Sequence, residues 1–135
     1  MFPVGSIMTK EVVTARPDMP IIEALHLLTR HKISGMPVVN SSGLVVGVLS
    51  EKDLLRILLE KNVDEDHKVE EYMSREVICF HEDDDAREVC KFFMRTHIRR
   101  VPIVRDGILM GVVSRRDIIT LISEAKINLS PMRYV

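Results

Sequence analysis

The chain has 135 residues, with 19 Lys and Arg against 20 Asp and Glu, a formal net charge of −1, and 46% apolar residues. That is one domain's length with ample material for a core, while near-neutral charge, absence of Trp and 4% aromatic residues weigh against a nucleic-acid or anionic-membrane surface. No apolar run approaches membrane-spanning length and residues 1–6 lack the basic and apolar regions of a signal peptide, so the expected location is cytoplasmic.

In chain order, Ser6 is placed to cap a short turn through Met8, and a strand follows over 12–15 until Pro17-Asp18 stops it. Asp18 is positioned to cap a helix whose apolar residues, Ile21, Ile22, Ala24, Leu25 and Leu28, recur at helical spacing. His26 and His31 are five residues apart, whereas ligands on one helix face need three or four, so they read as surface or interface histidines. A strand over 36–39, a turn at Ser41-Ser42-Gly43 and an antiparallel return over 45–49 lead into a helix from Ser50 to about Glu60. Residues 62–68 are acidic and aperiodic, which marks a linker, and Val69, Tyr72 and Met73 open a second segment.

That segment reads as a strand ending near Cys79, then Glu82 to Asp85 as a solvated acidic helix start, then core-type Val89, Phe92, Phe93 and Met94. Asp106-Gly107 marks a tight hairpin, and the tail from Lys126 has no pattern. Cys79 and Cys90 lack CxxC spacing and are expected to be buried free thiols, and no spacing suits a metal.

The chain repeats itself. Met8 pairs with Met73 at an offset of 65 residues, and the pairing runs through Glu11/Glu76 and Glu23/Glu88 to Pro37/Pro102. After one deleted residue it resumes at Gly43/Gly107, Gly47/Gly111, Ser50/Ser114 and Asp53/Asp117. Two copies are too few for an array, so the expectation is two similar halves packed face to face, each strand-helix-strand-strand-helix, an α+β fold. Each Ser-x-x-Asp lies where a strand becomes a helix. It supports two readings, a capping box that satisfies orphan donors or an anion site with a carboxylate for a ribose diol.

Charge divides the copies. Arg99, Arg100, Arg105, Arg115 and Arg116 face only Asp106 and Asp117 within 97–117, whereas Ser34, Gly35, Glu51 and Lys52 match Arg99, Arg100, Arg115 and Arg116 in the first copy. The arginines are either a solvated surface or phosphate ligands, and their grouping beside Ser-x-x-Asp favours the second. Four amphipathic helices, at 21–28, 54–59, 89–94 and 118–122, carry more apolar surface than a thin sheet covers, which predicts a homodimer.

A strand near Thr14 or Cys79, a helix, Ile-x-x-x-Pro (Ile33 to Pro37, Ile98 to Pro102), a hairpin and Gly-x-x-Ser-x-x-Asp, given twice in the same order, resemble the paired CBS domain, or Bateman module. The resemblance implies two tandem repeats related by a pseudo-two-fold axis, placed at 1–61 and 69–125, with a linker at 62–68 and a tail at 126–135. It implies a regulatory module that requires no cofactor, binds an adenine nucleotide (AMP, ADP or ATP) or a relative such as S-adenosylmethionine between the repeats, and signals to a separate enzyme or transporter. In the cleft marked by Asp117, that residue would hold the ribose. Ser114, Arg116, Arg99 and Arg100 would approach phosphate, Val112 would flank the nucleoside, and Val13 and Ile33 would enclose the base. In the cleft marked by Asp53 the counterparts are Ser50, Lys52 and Val48, with Ile78 and Ile98 as the slot. Two other readings are a dimerisation scaffold with empty clefts and a nucleic-acid binder using Arg99, Arg100, Arg115 and Arg116. An enzyme has the least support, for there is no nucleophile beside a base, no phosphate-binding glycine loop and no metal spacing.

Overall fold

The computed structural model describes residues 1–60 and 66–124. The expected linker at 62–68 is described only from Asp66 onward, and the tail at 126–135 lies outside the described residues.

The first repeat contains α1 (Ile21–His31), a hairpin of β1 (Gly35–Val39) and β2 (Val45–Ser50), and α2 (Glu51–Leu59). The second contains β3 (Phe80–His81), α3 (Ala86–Arg95), a hairpin of β4 (Arg100–Arg105) and β5 (Ile108–Ser114), and α4 (Arg115–Glu124). This is the α+β architecture of two tandem repeats that the sequence predicts. The second hairpin turns on Asp106 and Gly107, with φ of 52° and 80°, and the first on Gly43, with φ of 84°, the left-handed conformations such turns require.

The strand expected at 12–15 shrinks to one bridge. Ala15 donates to the Pro37 carbonyl and accepts from Val39, pairing in parallel with Val38, as Phe80 pairs with Ile103 one repeat later. In the second repeat the ladder continues, with His81 opposite Val104 and Glu82 N–H donating to the Val104 carbonyl at 3.3 Å. The residue matching Glu82 is Pro17, which has no N–H to give, so the first repeat cannot make that rung.

Two expected caps also differ. Pro20, with no side-chain bond, occupies the N-cap of α1, so Asp18 lies two residues too early to serve it. Ser6 ends its 3₁₀ turn (Val4–Ser6) instead of starting it, its hydroxyl donating to the Pro3 carbonyl at 2.6 Å. Asp85, by contrast, caps α3 by accepting from the Arg87 N–H, which holds its carboxyl below the usual range.

The two halves exchange their opening segments. Val69 and Tyr72 are buried with Ala15, Ile21, Leu28, Met36 and Leu49 of the first repeat. Val4 is buried with Val89, Phe92, Ile103 and Val113 of the second, and Phe2, Ile7 and Met8 pack against that cluster. The exchange is reciprocal to the residue. Pro3 bridges Asp85 while Pro20 bridges Lys68, and Thr9 bridges Val112 while Val48 bridges Ser74. The hairpin tips meet between them, where Leu44 bridges Ile108. Each of these bridges has its image after exchange of the copies, which is the pseudo-two-fold relation.

Two glycines of the repeated motif follow from this crossing. A β-carbon on Gly47 would fall 2.7 Å from Met73 Sδ and 2.9 Å from the Ser74 carbonyl oxygen. On Gly111 it would fall 2.7 Å from both Met8 Sδ and the Thr9 carbonyl oxygen. Only a residue without a side chain lets the crossing backbone approach so closely.

Candidate functional site

Each Ser-x-x-Asp sits where β2 or β5 hands over to a helix, and both form the capping box. The Asp53 N–H donates to Ser50 Oγ at 3.4 Å, and Asp53 Oδ2 accepts the Ser50 N–H at 2.9 Å and its hydroxyl at 3.0 Å. The Asp117 N–H donates to Ser114 Oγ at 3.2 Å, and Asp117 Oδ2 accepts from the Ser114 N–H at 2.8 Å. In both repeats the capping bonds fall on Oδ2. Capping and binding are therefore compatible, for a carboxylate has two oxygens and the cap engages one.

Both boxes open on one cleft of about 830 Å³ between the repeats. Ser50, Asp53, Ser114 and Asp117 line it, with Val13, Ile33 and Val48 from the first half and Ile78, Ile98 and Val112 from the second. Lys52, Arg99 and Arg100 complete its charged edge. The fold thus gathers thirteen of the fourteen candidate residues along one groove. Arg116 lines an adjoining recess of about 730 Å³, which shares Ile33, Ser34, Glu51, Arg99, Arg100 and Ser114 with the cleft. Such volumes suit small organic ligands.

The five-arginine group does not stay together. Arg105 forks onto Glu82, with Nη2 to Oε2 at 2.8 Å and a second bond from Nε to Oε1. That pairing holds the Glu82 carboxyl below its usual range, so Glu82 is paired and not merely solvated. Arg115 turns its guanidinium onto the carbonyls of Phe93, Thr96 and Ile98. Arg99, Arg100 and Arg116 are exposed and carry no ion pair among the described residues. Glu51 of the first repeat lines the same recess, so the acid of one copy and the arginines of the other meet in one place.

Several lining residues escaped the sequence reading. Thr9 and Ser74 reach the cleft through the crossing segments. A hydroxyl residue directly after the paired Met8 and Met73 was the available signal. His31, His97 and Ser34 also line it. Among the described residues, no group of three or more His, Cys, Asp or Glu is placed to hold a metal. Cys79 and Cys90 are free and half-buried, and burial pushes the Cys79 thiol up. No described helix is long and apolar enough to cross a membrane.

A family model of the CBS domain matches residues 4–60 and 69–124. The chain belongs to the CBS-domain family and carries two copies of that domain. It is 31% identical over 120 residues to the uncharacterized protein MJ1225 of Methanocaldococcus jannaschii, an alignment covering 89% of this chain and 42% of that one. The chain therefore spans less than half the length of that relative. The CBS domain pair of protein MJ0100, solved in complex with 5′-methylthioadenosine and S-adenosyl-L-methionine, is similar at a TM-score of 0.76 and 30% identity, over 93% of this chain and 98% of that one. CBSX2 in complex with AMP shares the fold at a TM-score of 0.82 and 24% identity, over 93% and 99% of the two chains.

Proposed function

We propose that this chain is a regulatory module that binds an adenosine-containing ligand between its repeats and passes the occupancy of that cleft to a separate partner. The observation that carries the reading is the pair of capping boxes opening on one cleft walled by aliphatic residues of both halves. A purine ring suits such walls, a ribose diol suits a carboxylate with an uncommitted oxygen, and phosphates suit Arg99, Arg100, Arg116 and Lys52. The CBS pair of MJ0100, at 30% identity, takes two adenosyl compounds, which supports the same ligand class here.

In this reading Asp117, Ser114, Val112, Val13 and Ile33 serve one ligand position and Asp53, Ser50, Lys52, Val48, Ile78 and Ile98 the other, within repeats bounded at 1–61 and 69–125. The module acts by binding and not by catalysis, in the cytoplasm, with no cofactor beyond its ligand. It works as a homodimer through exposed apolar helix residues, Leu55, Leu58 and Leu59 on α2, Met94 on α3, and Ile119 and Ile122 on α4.

Isothermal titration with AMP, ATP and S-adenosylmethionine, against GTP and CTP, tests the reading. Binding of an adenosine compound with much weaker uptake of the guanosine and cytidine forms is expected, and equal affinities would remove the basis for naming adenine. Failure to bind any of them, in a protein that still dimerises, favours the scaffold reading.

A further inference from the structure

The turn that delivers Ile98 to β4 is closed differently from its twin. In the first repeat, Lys32 takes the left-handed conformation at φ 53° and donates to the carbonyls of Leu28 and Thr29, and the Ile33 N–H donates to Leu28 O at 3.2 Å. Backbone alone finishes α1 and sets Ile33 in place. In the second repeat, Thr96 ends α3 in an extended conformation, and a side chain from another element meets the loose carbonyls. Arg115 Nη2 donates to Phe93 O at 3.0 Å and to Thr96 O at 2.8 Å, and its Nε donates to Ile98 O at 3.2 Å. The guanidinium carbon also lies 5.9 Å from the centre of the Phe93 ring.

The backbones at this point match. Arg115 N–H donates to Arg99 O at 3.0 Å, as Glu51 N–H donates to Ser34 O at 2.9 Å, so the difference is in the side chain. Arg115 is also the first residue of α4, where a cation opposes the helix dipole, whereas Glu51 at the start of α2 has the favoured sign. The same cation is well placed at the C-terminal end of α3, among unpaired carbonyls. Its location makes sense for the turn it closes and not for the helix it begins.

We propose that Arg115 is a positioning residue for the ligand cleft. By tying α3, Thr96 and Ile98 to the start of α4, it fixes the wall formed by Ile98. Arg115 also lines the recess that holds Arg99, Arg100 and Arg116, but its Nε and Nη2 are engaged by the three carbonyls, so its part is to place the wall. The inference rests on the nucleotide reading above and adds an asymmetry: the Ile33 wall is set by backbone, whereas the Ile98 wall depends on two side chains. These are the Thr96 hydroxyl, which donates to Phe92 O at 3.0 Å and accepts the Ile98 N–H at 3.3 Å, and Arg115 from the helix that carries Asp117. Movement of the start of α4 is thereby passed to the half of the cleft that Asp53 serves.

Two substitutions separate the possibilities. Arg115→Met keeps the length of the side chain and removes its donors, and Arg115→Lys keeps the charge with a single donor group. In nucleotide-free protein, amide hydrogen exchange over 96–98 is expected to quicken about tenfold in Arg115→Met and to stay unchanged at Ile33. Titration with AMP is expected to show about tenfold weaker binding for Arg115→Met, with Arg115→Lys between it and the parent. In an Asp53→Ala background the methionine substitution should add nothing, whereas in Asp117→Ala it should add its whole loss. Faster exchange with unchanged AMP affinity makes Arg115 a fastening of α3 alone and overturns the proposal, as does unchanged exchange or a full additional loss in Asp53→Ala. A parent protein that takes up no AMP overturns the nucleotide reading and this inference with it, a result distinct from equal binding by parent and variant.

Discussion

Met73 Sδ lies 2.7 Å from the point a β-carbon on Gly47 would occupy, and Met8 stands in the same relation to Gly111 at the same distance. The glycine of each Gly-x-x-Ser-x-x-Asp motif is therefore a packing residue that admits the crossing segment of the other half. Gly111→Ala is expected to lower stability by about 1–3 kcal/mol, because backbone as well as a methionine must yield. Thermal unfolding of Gly111→Ala beside an alanine at the exposed position Ser41 checks this, and an unchanged Tm would show that the crossing segment can retreat without loss.

Asp117→Ala and Asp53→Ala should separate capping from binding. Each removes one capping box, so each is expected to destabilise the fold by about 1 kcal/mol. For a phosphorylated adenosine ligand, Asp117→Ala is expected to weaken binding by a further ~1–3 kcal/mol and Asp53→Ala by less, since Arg116 and Ser114 adjoin the first position. Titration of the folded variants decides between them, and loss of binding in Asp53→Ala with none in Asp117→Ala would reverse the assignment.

The apolar helix surface gives a third expectation. Leu55 is 69% exposed and Leu58 90%, so acidic residues there disturb no core. A Leu55→Glu, Leu58→Glu double variant is expected to sediment as a monomer at micromolar concentration with its thermal stability as a monomer retained. A variant that still dimerises would place the interface elsewhere.

Tyr72 supplies a pH dependence. Its hydroxyl donates to Glu60 Oε2 at 2.7 Å, and burial, with this bond second, raises its pKa from 10.0 to about 12. The folded state holds the proton more tightly than the unfolded chain, so the contribution is complete below pH 10 and is lost as pH rises toward 12. Tyr72→Phe is expected to be less stable by about 1 kcal/mol at neutral pH and to lose this alkaline decline. Chemical denaturation between pH 7 and about 11.5 measures both, and parallel curves would assign the decline to another group.

Much of this molecule is legible in its sequence, for particular reasons. The offset that pairs Ser50 with Ser114 and Asp53 with Asp117 marks two copies, and Asp106-Gly107 fixes a hairpin because few other pairs tolerate two positive φ angles. The apolar periods of α1 and α3 locate helices, though Pro20 and not Asp18 stands at the N-cap. Pro17, with no N–H, keeps the Ala15 bridge from extending as β3 does, and residues 12–14, like 77–79, lie outside the ladder, so an apolar run alone overstates the strand. The crossing of Val4 and Val69 was beyond reach, because a short apolar segment carries no mark of which of two similar cores it enters. Counting charges failed at Arg105 and Arg115 for a related reason: the partners that occupy them, Glu82 and the carbonyls ending α3, are neighbours in space and not in sequence.

The exchanged openings have a consequence for how such a molecule arises and folds. Half of this chain, cut free between the repeats, would lack Val69 and Tyr72 or Val4, and would have to borrow them from a second molecule. Joining two copies turns that loan between molecules into a closure within one chain, where the effective concentration of the missing segment is on the order of millimolar for a short connection. Duplication thus replaces a bimolecular assembly step by a local one. It also frees the two copies to diverge, so that one end of the cleft can be finished by backbone at Lys32 and the other by a side chain at Arg115.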